Sequence, residues 1–470
     1  MNICFLARPL FDKFSVAIYK YIRENLDREA GGYFITTDKW ETRYVREQIP
    51  DAHIFETSKY LREHWPEFTG EKLVELEKKY DCAPIWKYIY TDRFLINRDY
   101  DYVVHVAAGL FSFFEDLFSR NPIDFYYSEA VATLQGYAAY IVGKKLGAKY
   151  ITQMAARSEW DETYLFCMTD ELQHIANFNS DYRSVQYSET EYRRAEALLS
   201  DFESRDVRPA SEEGVKERTC PKLRLGYLKL PLLALANKFR RRYNDPYSYM
   251  YYKSYRATSA IQAYFRYQRA RKYYHPADYS RKFVYFPLHY QPEASTLVCA
   301  PKYEKQAFFI DSWAKSLPAD TMLYVKEHYA GLGSRDLQFY RDLQKYPNVA
   351  LIDPWESSRK LIEGSIAVTT LTGTPGWEAM LLRKPVFLGG RIFFDNAPGV
   401  IQVPDVFDCY LEELARWRRP TREDVIQYLC EYIRTLEPGN VNIDSPAALE
   451  PNNIKKVSES LYRQMQIMTQ

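Results

Sequence analysis

Short, continuously apolar runs alternate along this chain with longer segments whose apolar residues recur every three or four positions. Residues 2–7 form the first such run and predict a strand. A polar loop over 8–13 and a helix over 14–25 follow, a βα start. Residues 32–36 predict a second strand, 73–80 a helix, 101–106 a buried strand and 111–119 a helix. Residues 123–127 predict a strand that ends at Ser128-Glu129. A helix over 131–146 then stops at Gly147. The next strand, 149–153, delivers Arg157, Glu159 and Asp161 to a loop. Strand, helix and strand at this spacing make a parallel βαβ unit, so 1–165 read as one doubly wound half.

The pattern changes over 187–275. Segments 189–199 and 236–272 are helical in period and heavily charged. The second is basic, from Lys238 and Arg240 to Arg271 and Lys272, with tyrosines such as Tyr247, Tyr255 and Tyr267 between the charges. Such a tract suits peripheral docking on an anionic lipid surface or an acidic glycan. A solvated helical insertion or linker is the favoured reading, because charge runs are usually exposed faces.

A second α/β pattern begins at 283. Strands are expected at 283–286, 322–325, 349–352, 366–370 and 385–388. Helices are expected at 303–316, 336–345, 357–363, 377–382 and 421–436. A last amphipathic helix, 451–468, carries Ile454, Val457, Leu461, Met465 and Ile467 near helical spacing and is expected to return to the first half. The organisation expected is therefore an N-terminal α/β domain over 1–186, a helical insertion over 187–279, a second α/β domain over 280–445, and the returning helix over 446–470.

Composition narrows the function classes. At 470 residues one core is too small a container, so two large domains are the prior. The 63 basic residues are offset by 62 acidic ones, which argues against a general nucleic-acid binder. Seven scattered cysteines, with no CxxC, point to neither a disulfide framework nor a zinc site. A reduced, cytoplasmic chain is the simplest expectation. The apolar start lacks a basic flank and a cleavage site, so it reads as a strand and not as a leader. No run is long enough for a membrane-spanning helix. No GxGxxG follows the first strand, which excludes that dinucleotide site.

The candidate chemistry lies where the second half's strands end. Strand 283–286 runs into Pro287-Leu288-His289-Tyr290-Gln291-Pro292-Glu293. The next strand ends in Lys326-Glu327-His328. A third runs into Thr372-Gly373-Thr374-Pro375-Gly376, ahead of Trp377-Glu378-Ala379 and Lys384-Pro385-Val386. A glycine-containing turn at a helix N-terminus presents backbone N–H groups to a phosphate. The small-Gly-small turn, the EA pair and the KPV strand resemble the donor site of GT-B glycosyltransferases. PLHYQPE at 287–293, KEH at 326–328, GxR at 333–335 with Phe339-Tyr340, and PNV at 347–349 together resemble the capsule polysaccharide biosynthesis proteins, the Kdo-transferase type. The likeness covers about 280–395, and extends more weakly over 126–151. That group's His-Pro motif reads His328-Tyr329 here.

The resemblance implies a GT-B fold, two Rossmann-like halves facing across a cleft. It implies transfer of Kdo or a related ulosonic acid from a CMP-linked donor to a glycan or glycolipid, with no metal and no further cofactor. Donor-binding candidates are His289, Gln291, Lys326, His328, Thr372, Gly373, Thr374 and Glu378. Lys326, His328 and the 372–374 turn could stabilise a phosphate leaving group. Acceptor activation needs a carboxylate, for which Glu129, Glu159, Asp161 and Glu293 are the candidates, as base or as nucleophile. Asp99-Tyr100-Asp101 is formally a DxD but reads as structural. Other readings stay open: a UDP- or GDP-hexose transferase, a sugar-nucleotide epimerase, or a non-catalytic glycan-binding component of capsule assembly.

Overall fold

The computed structural model describes residues 1–95, 98–157, 164–204, 219–222, 246–247, 261–403 and 410–470. Glu159, Asp161 and most of the basic tract lie outside the described residues. The chain divides into two compact units. The first holds 1–177 and 435–470 together with Tyr247, and the second holds 178–204 and 261–434.

The first unit is built on a sheet of β1 (Asn2–Ala7), β2 (Gly31–Thr36), β3 (His53–Glu56), β4 (Phe125–Tyr127), β5 (Lys149–Ala155) and β6 (Tyr164–Met168), joined by β13 (Glu437–Pro438). The order is β13-β6-β5-β4-β1-β2-β3. Strands β1 to β5 are all parallel, while at one edge β6 pairs antiparallel with β5, and β13 antiparallel with β6. Connections leave β1 and β4 in opposite directions, so the gap between their carboxyl ends is a topological switch point.

Residues 101–106, expected as a strand, instead open the long helix Tyr100–Arg120. Asp99 caps it by accepting from the Tyr102 N–H at 2.8 Å. From Val103 to Phe118 the helix is buried on nearly every side, so its sequence shows no polar stripe from which to read the helical period. The helix Pro451–Thr469 packs on the same sheet. Ile454, Val457, Leu461 and Met465 join Ile3, Phe5 and Ile18 in one core, whereas Ile467 is exposed. Each of those aliphatics contributes on the order of 1.5–3 kcal/mol by burial.

The second unit carries β7 (Lys282–Pro287), β8 (Thr321–Lys326), β9 (Val349–Ile352), β10 (Ala367–Thr370), β11 (Val386–Leu388) and β12 (Val400–Gln402) in the order β12-β11-β10-β7-β8-β9, all parallel. Strands buried on both faces need near-continuous apolar sequence, and β7 supplies Phe283, Val284, Tyr285 and Phe286, all fully buried or nearly so. Its switch point lies between β7 and β10. The expected α/β class with two Rossmann-like halves is what the chain forms. The helix Glu189–Ser204, expected to begin an insertion, packs in this second unit against Arg422–Arg434, where Arg422 reaches Glu196 at 3.0 Å. Two tyrosines of the basic tract, which reads as a docking face or as a solvated linker, are buried. Tyr267 lies in the second unit, and Tyr247 donates to Asp92 at 2.6 Å in the first. Among the described residues no helix is long and apolar enough to cross a membrane.

Candidate functional site

The second unit's switch point is bridged by one imidazole. The loop leaving β7 places His289 beneath the loop leaving β10, where it is only 6 % exposed. The Thr372 amide donates to its Nε2 at 3.2 Å, and the Thr370 hydroxyl lies 3.3 Å from the same atom. Gly373 N–H donates to that hydroxyl oxygen at 3.1 Å, so the hydroxyl's own proton is directed to the ring. Two donors around Nε2 place the imidazole proton on Nδ1, which is buried and meets no partner among the described residues. Burial lowers the pKa of His289 to about 3, with His328 and Arg335 adding to the effect, so the ring is neutral.

The His289 backbone is clamped as well. Gln306 bridges it, accepting from its N–H at 2.8 Å and donating to its carbonyl at 3.1 Å. The turn above depends on glycine for close approach. A Cβ on Gly373 would sit 3.0 Å from His289 Nε2 and 2.9 Å from Thr370 Oγ1. Thr372 is tied by its hydroxyl to the Ser295 carbonyl at 2.7 Å.

The helix after this turn is Thr374–Leu381, with Gly373 as its N-cap and Pro375 in the first turn. It starts three residues earlier than expected, because proline fits that position and Thr374 follows the turn directly. Glu378 consequently lies in the second turn, not the first, further from the helix N-terminus.

Strand β8 delivers Lys326, Glu327 and His328 next door. Lys326 is anchored by the Glu356 carbonyl at 2.5 Å and Ser358 Oγ at 2.8 Å, which fixes its positive charge. His328 accepts the Ala330 N–H on Nδ1 at 3.1 Å, leaving Nε2–H as the donor it offers. Its pKa falls to about 4 through burial first, then through the charges of Arg335 and Lys326. His328 lies near two rings, with Tyr329 stacked at 4.5 Å and Tyr290 tilted at 6.3 Å. Glu327 is fully buried and accepts from the His328 N–H, Arg335 Nε and the Tyr340 hydroxyl.

Other expected residues are placed differently. Gln291 precedes a cis proline and donates to the Glu304 carbonyl at 2.6 Å, which braces its own loop. Glu293 is exposed at the N-cap of the short helix Ala294–Leu297, with Ser295 Oγ 3.4 Å from its carboxylate. In the first unit, Glu129 stands at its switch point, as the strand pattern implied, but paired with Arg8 from the end of β1 in a two-bond ion pair. Arg8 was not read from the sequence, and 121 positions separate it from its partner. Thr370 and Gln306 were missed too, since nothing in a buried strand end or a helix start marks a residue as bonded to an imidazole.

Against known proteins, the model of the family described as capsule polysaccharide biosynthesis protein matches residues 183–406. The matched segment contains all six strands of the second sheet and every residue of the switch point just described. No curated protein matches the chain. Among solved structures, the chain is similar to the Thermosulfurimonas dismutans KpsC beta Kdo 2,7 transferase, at 10 % identity and a TM-score of 0.41, over 94 % of this chain and all of that one. It is similar to the beta Kdo 2,4 transferase of the same organism's KpsC at 12 % identity and 0.31, over 72 % and 86 %. A UDP-GlcNAc 2-epimerase from Neisseria meningitidis gives 11 % and 0.28, over the full length of both chains. At these scores no residue is carried across, and the site rests on its own geometry.

Proposed function

We propose that this chain is a glycosyltransferase of capsule or surface polysaccharide assembly, whose second unit binds a nucleotide-activated sugar at the β7–β10 switch point. The observation that carries this reading is the pair of neutral imidazoles, His289 and His328, at adjoining strand ends beside a glycine turn that opens a helix. A phosphate leaving group gains negative charge as its bond to the sugar breaks. The N-terminus of the helix that opens at Thr374 and the fixed charge of Lys326 both favour charge there. A neutral His328 keeps Nε2–H as a donor across the physiological range, with no positive charge to lose as pH rises. His289 does a different job: its Nε2 holds the turn in shape by accepting from it.

The donor proposed is a CMP-linked acidic sugar of the Kdo type, and the acceptor a glycan or glycolipid. The support is the likeness of the KEH, GxR and glycine-turn motifs to the Kdo-transferase type. The first unit supplies the acceptor side, with Glu129 as the carboxylate proposed to act on the acceptor hydroxyl. Calorimetric titration with CMP, UDP and GDP tests the nucleotide. Tightest binding of CMP, lost in His328→Ala, is the expected result. Equal or absent binding of all three overturns the donor-site reading, and preference for UDP or GDP moves the chain to a hexose transferase or an epimerase.

A further inference from the structure

Glu327 is an acidic side chain at the second unit's strand ends that the donor chemistry leaves without a task. Its side chain has no exposed surface, and it follows β8 directly. Three donors converge on it: the His328 N–H at 2.8 Å, Arg335 Nε at 3.0 Å and the Tyr340 hydroxyl at 2.8 Å. Arg335 is 11 % exposed, lies with its guanidinium 5.0 Å from the centre of the Phe339 ring, and sends its other arm to the His289 carbonyl at 2.6 Å. One carboxylate and one guanidinium thus join the backbone of the two histidines. The link runs from the His328 amide through Glu327 and Arg335 to the His289 carbonyl.

These are the residues of three motifs, KEH, GxR and Phe339-Tyr340, that lie apart in sequence and meet in one network. The turn carrying Arg335 is built for a close approach. Gly333 has φ +75°, and a Cβ there would lie 2.0 Å from the Ala263 carbonyl oxygen of the neighbouring helical segment. A buried ion pair is a poor device for stability, because desolvating both charges costs about as much as their attraction returns. Its value lies in geometry. Arginine's planar fork can hold a carboxylate and a carbonyl at once, whereas an ammonium is a point charge without that direction.

We propose that Glu327, acting through Arg335, is the positioning residue of the donor site, holding His289 and His328 in fixed register across β7 and β8 with opposite tautomers. This rests on the donor-site reading above for its purpose, though not for its measurement. Outer partners of metal-bound histidines set ring orientation and tautomer in the same way. Here the outer partner acts through the peptide groups and serves two rings at once.

The test is long-range nitrogen–proton NMR of the full-length chain labelled in its seven histidines, with CMP titration alongside. The wild type is expected to show a neutral His289 protonated on Nδ1 and a neutral His328 protonated on Nε2. Arg335→Lys keeps the charge and loses the fork. It is expected to give mixed tautomers at one or both rings, with nucleotide affinity reduced by roughly tenfold to a hundredfold, the range seen for outer partners of functional histidines. Glu327→Gln turns an amide donor toward other donors and should do the same. If Glu327→Gln does not fold, Arg335→Lys alone decides. Unchanged tautomers in a folded Arg335→Lys chain overturn the proposal, whatever the nucleotide result. A wild type that binds no nucleotide while the variants scramble the tautomers overturns only the donor-site reading.

Discussion

The two units have the same arrangement of strands around their switch points and bridge them with opposite chemistry. In the first, the bridge is ionic: Arg8 from β1 holds Glu129 from β4, with side chains 22 % and 36 % exposed. In the second the bridge is neutral and dry: His289 from β7 accepts from Thr372 and Thr370 of the β10 loop. The contrast teaches that the fold fixes where a ligand-binding crevice lies while side chains decide what it can stabilise. A half-exposed carboxylate suits work on a hydroxyl. A neutral imidazole donor, His328, beside a helix N-terminus suits a phosphate, because hydrogen bonding there needs no protonated ring.

The sharpest way to break this division is Glu129→Gln. If the first crevice activates the acceptor, turnover should fall by roughly 10²–10⁴, as for loss of a general base, while nucleotide affinity holds. Steady-state kinetics beside calorimetry checks both halves of that statement, and a parallel loss of nucleotide binding would erase the division. Next in size is His328→Ala, expected to cost about 10²–10³ in rate, as for other leaving-group donors, together with nucleotide affinity. Normal kinetics in that variant would leave the neutral crevice without a donor role.

Gly373→Ala sharpens the second bridge alone. The new methyl must displace the His289 ring or the Thr370 hydroxyl. Overpacking of this kind costs roughly 1–3 kcal/mol, readable by chemical denaturation, and the His289 Nδ1–H signature should change with it. The smallest effect is the pH dependence of stability. His289 has a folded pKa of about 3 against an ordinary 6.5, so above pH 6.5 the ring is neutral in both states and contributes no pH dependence. As pH falls below 6.5 the unfolded chain takes up a proton that the folded one refuses. Stability should then decline by up to about 1.4 kcal/mol per pH unit until the folded pKa is reached. Denaturation midpoints at pH 7 and pH 5, with His289→Asn as the comparison, measure that slope.

How far each unit was legible follows from where its signals lie. In the second unit every parallel strand from β7 to β11 falls within a residue or two of its expected place, because fully buried strands read as unbroken apolar runs between turn residues. The motif residues at their carboxyl ends do converge, though what joins Glu327 to Arg335 could not be read from spacing. The first unit resisted in three ways. The helix Tyr100–Arg120 passed for a strand at its start because burial on all sides removes the polar stripe. Strand β3 is half-buried and short, so its four residues carry no clear alternation. Strand β13 is two residues whose assignment exists only through pairing with β6. The Arg8–Glu129 bridge is a contact between distant positions, and no local pattern announces a partner.

Strand β13 and the helix Pro451–Thr469 have a consequence for how the chain comes into being. The first unit's sheet is completed, and a face of its core covered, by residues 435–470, which are made only after the second unit. During synthesis the opening α/β segment must therefore wait while the whole second unit emerges, on the order of tens of seconds at ordinary elongation rates. Through that interval Ile3, Phe5 and Ile18 lack the aliphatic residues that later pack on them, and the outer edge of β6 lacks its partner. A nascent chain stalled or cut before residue 435 should present a sticky, incomplete layer to chaperones, even though everything that forms the β7–β10 switch point has already been made.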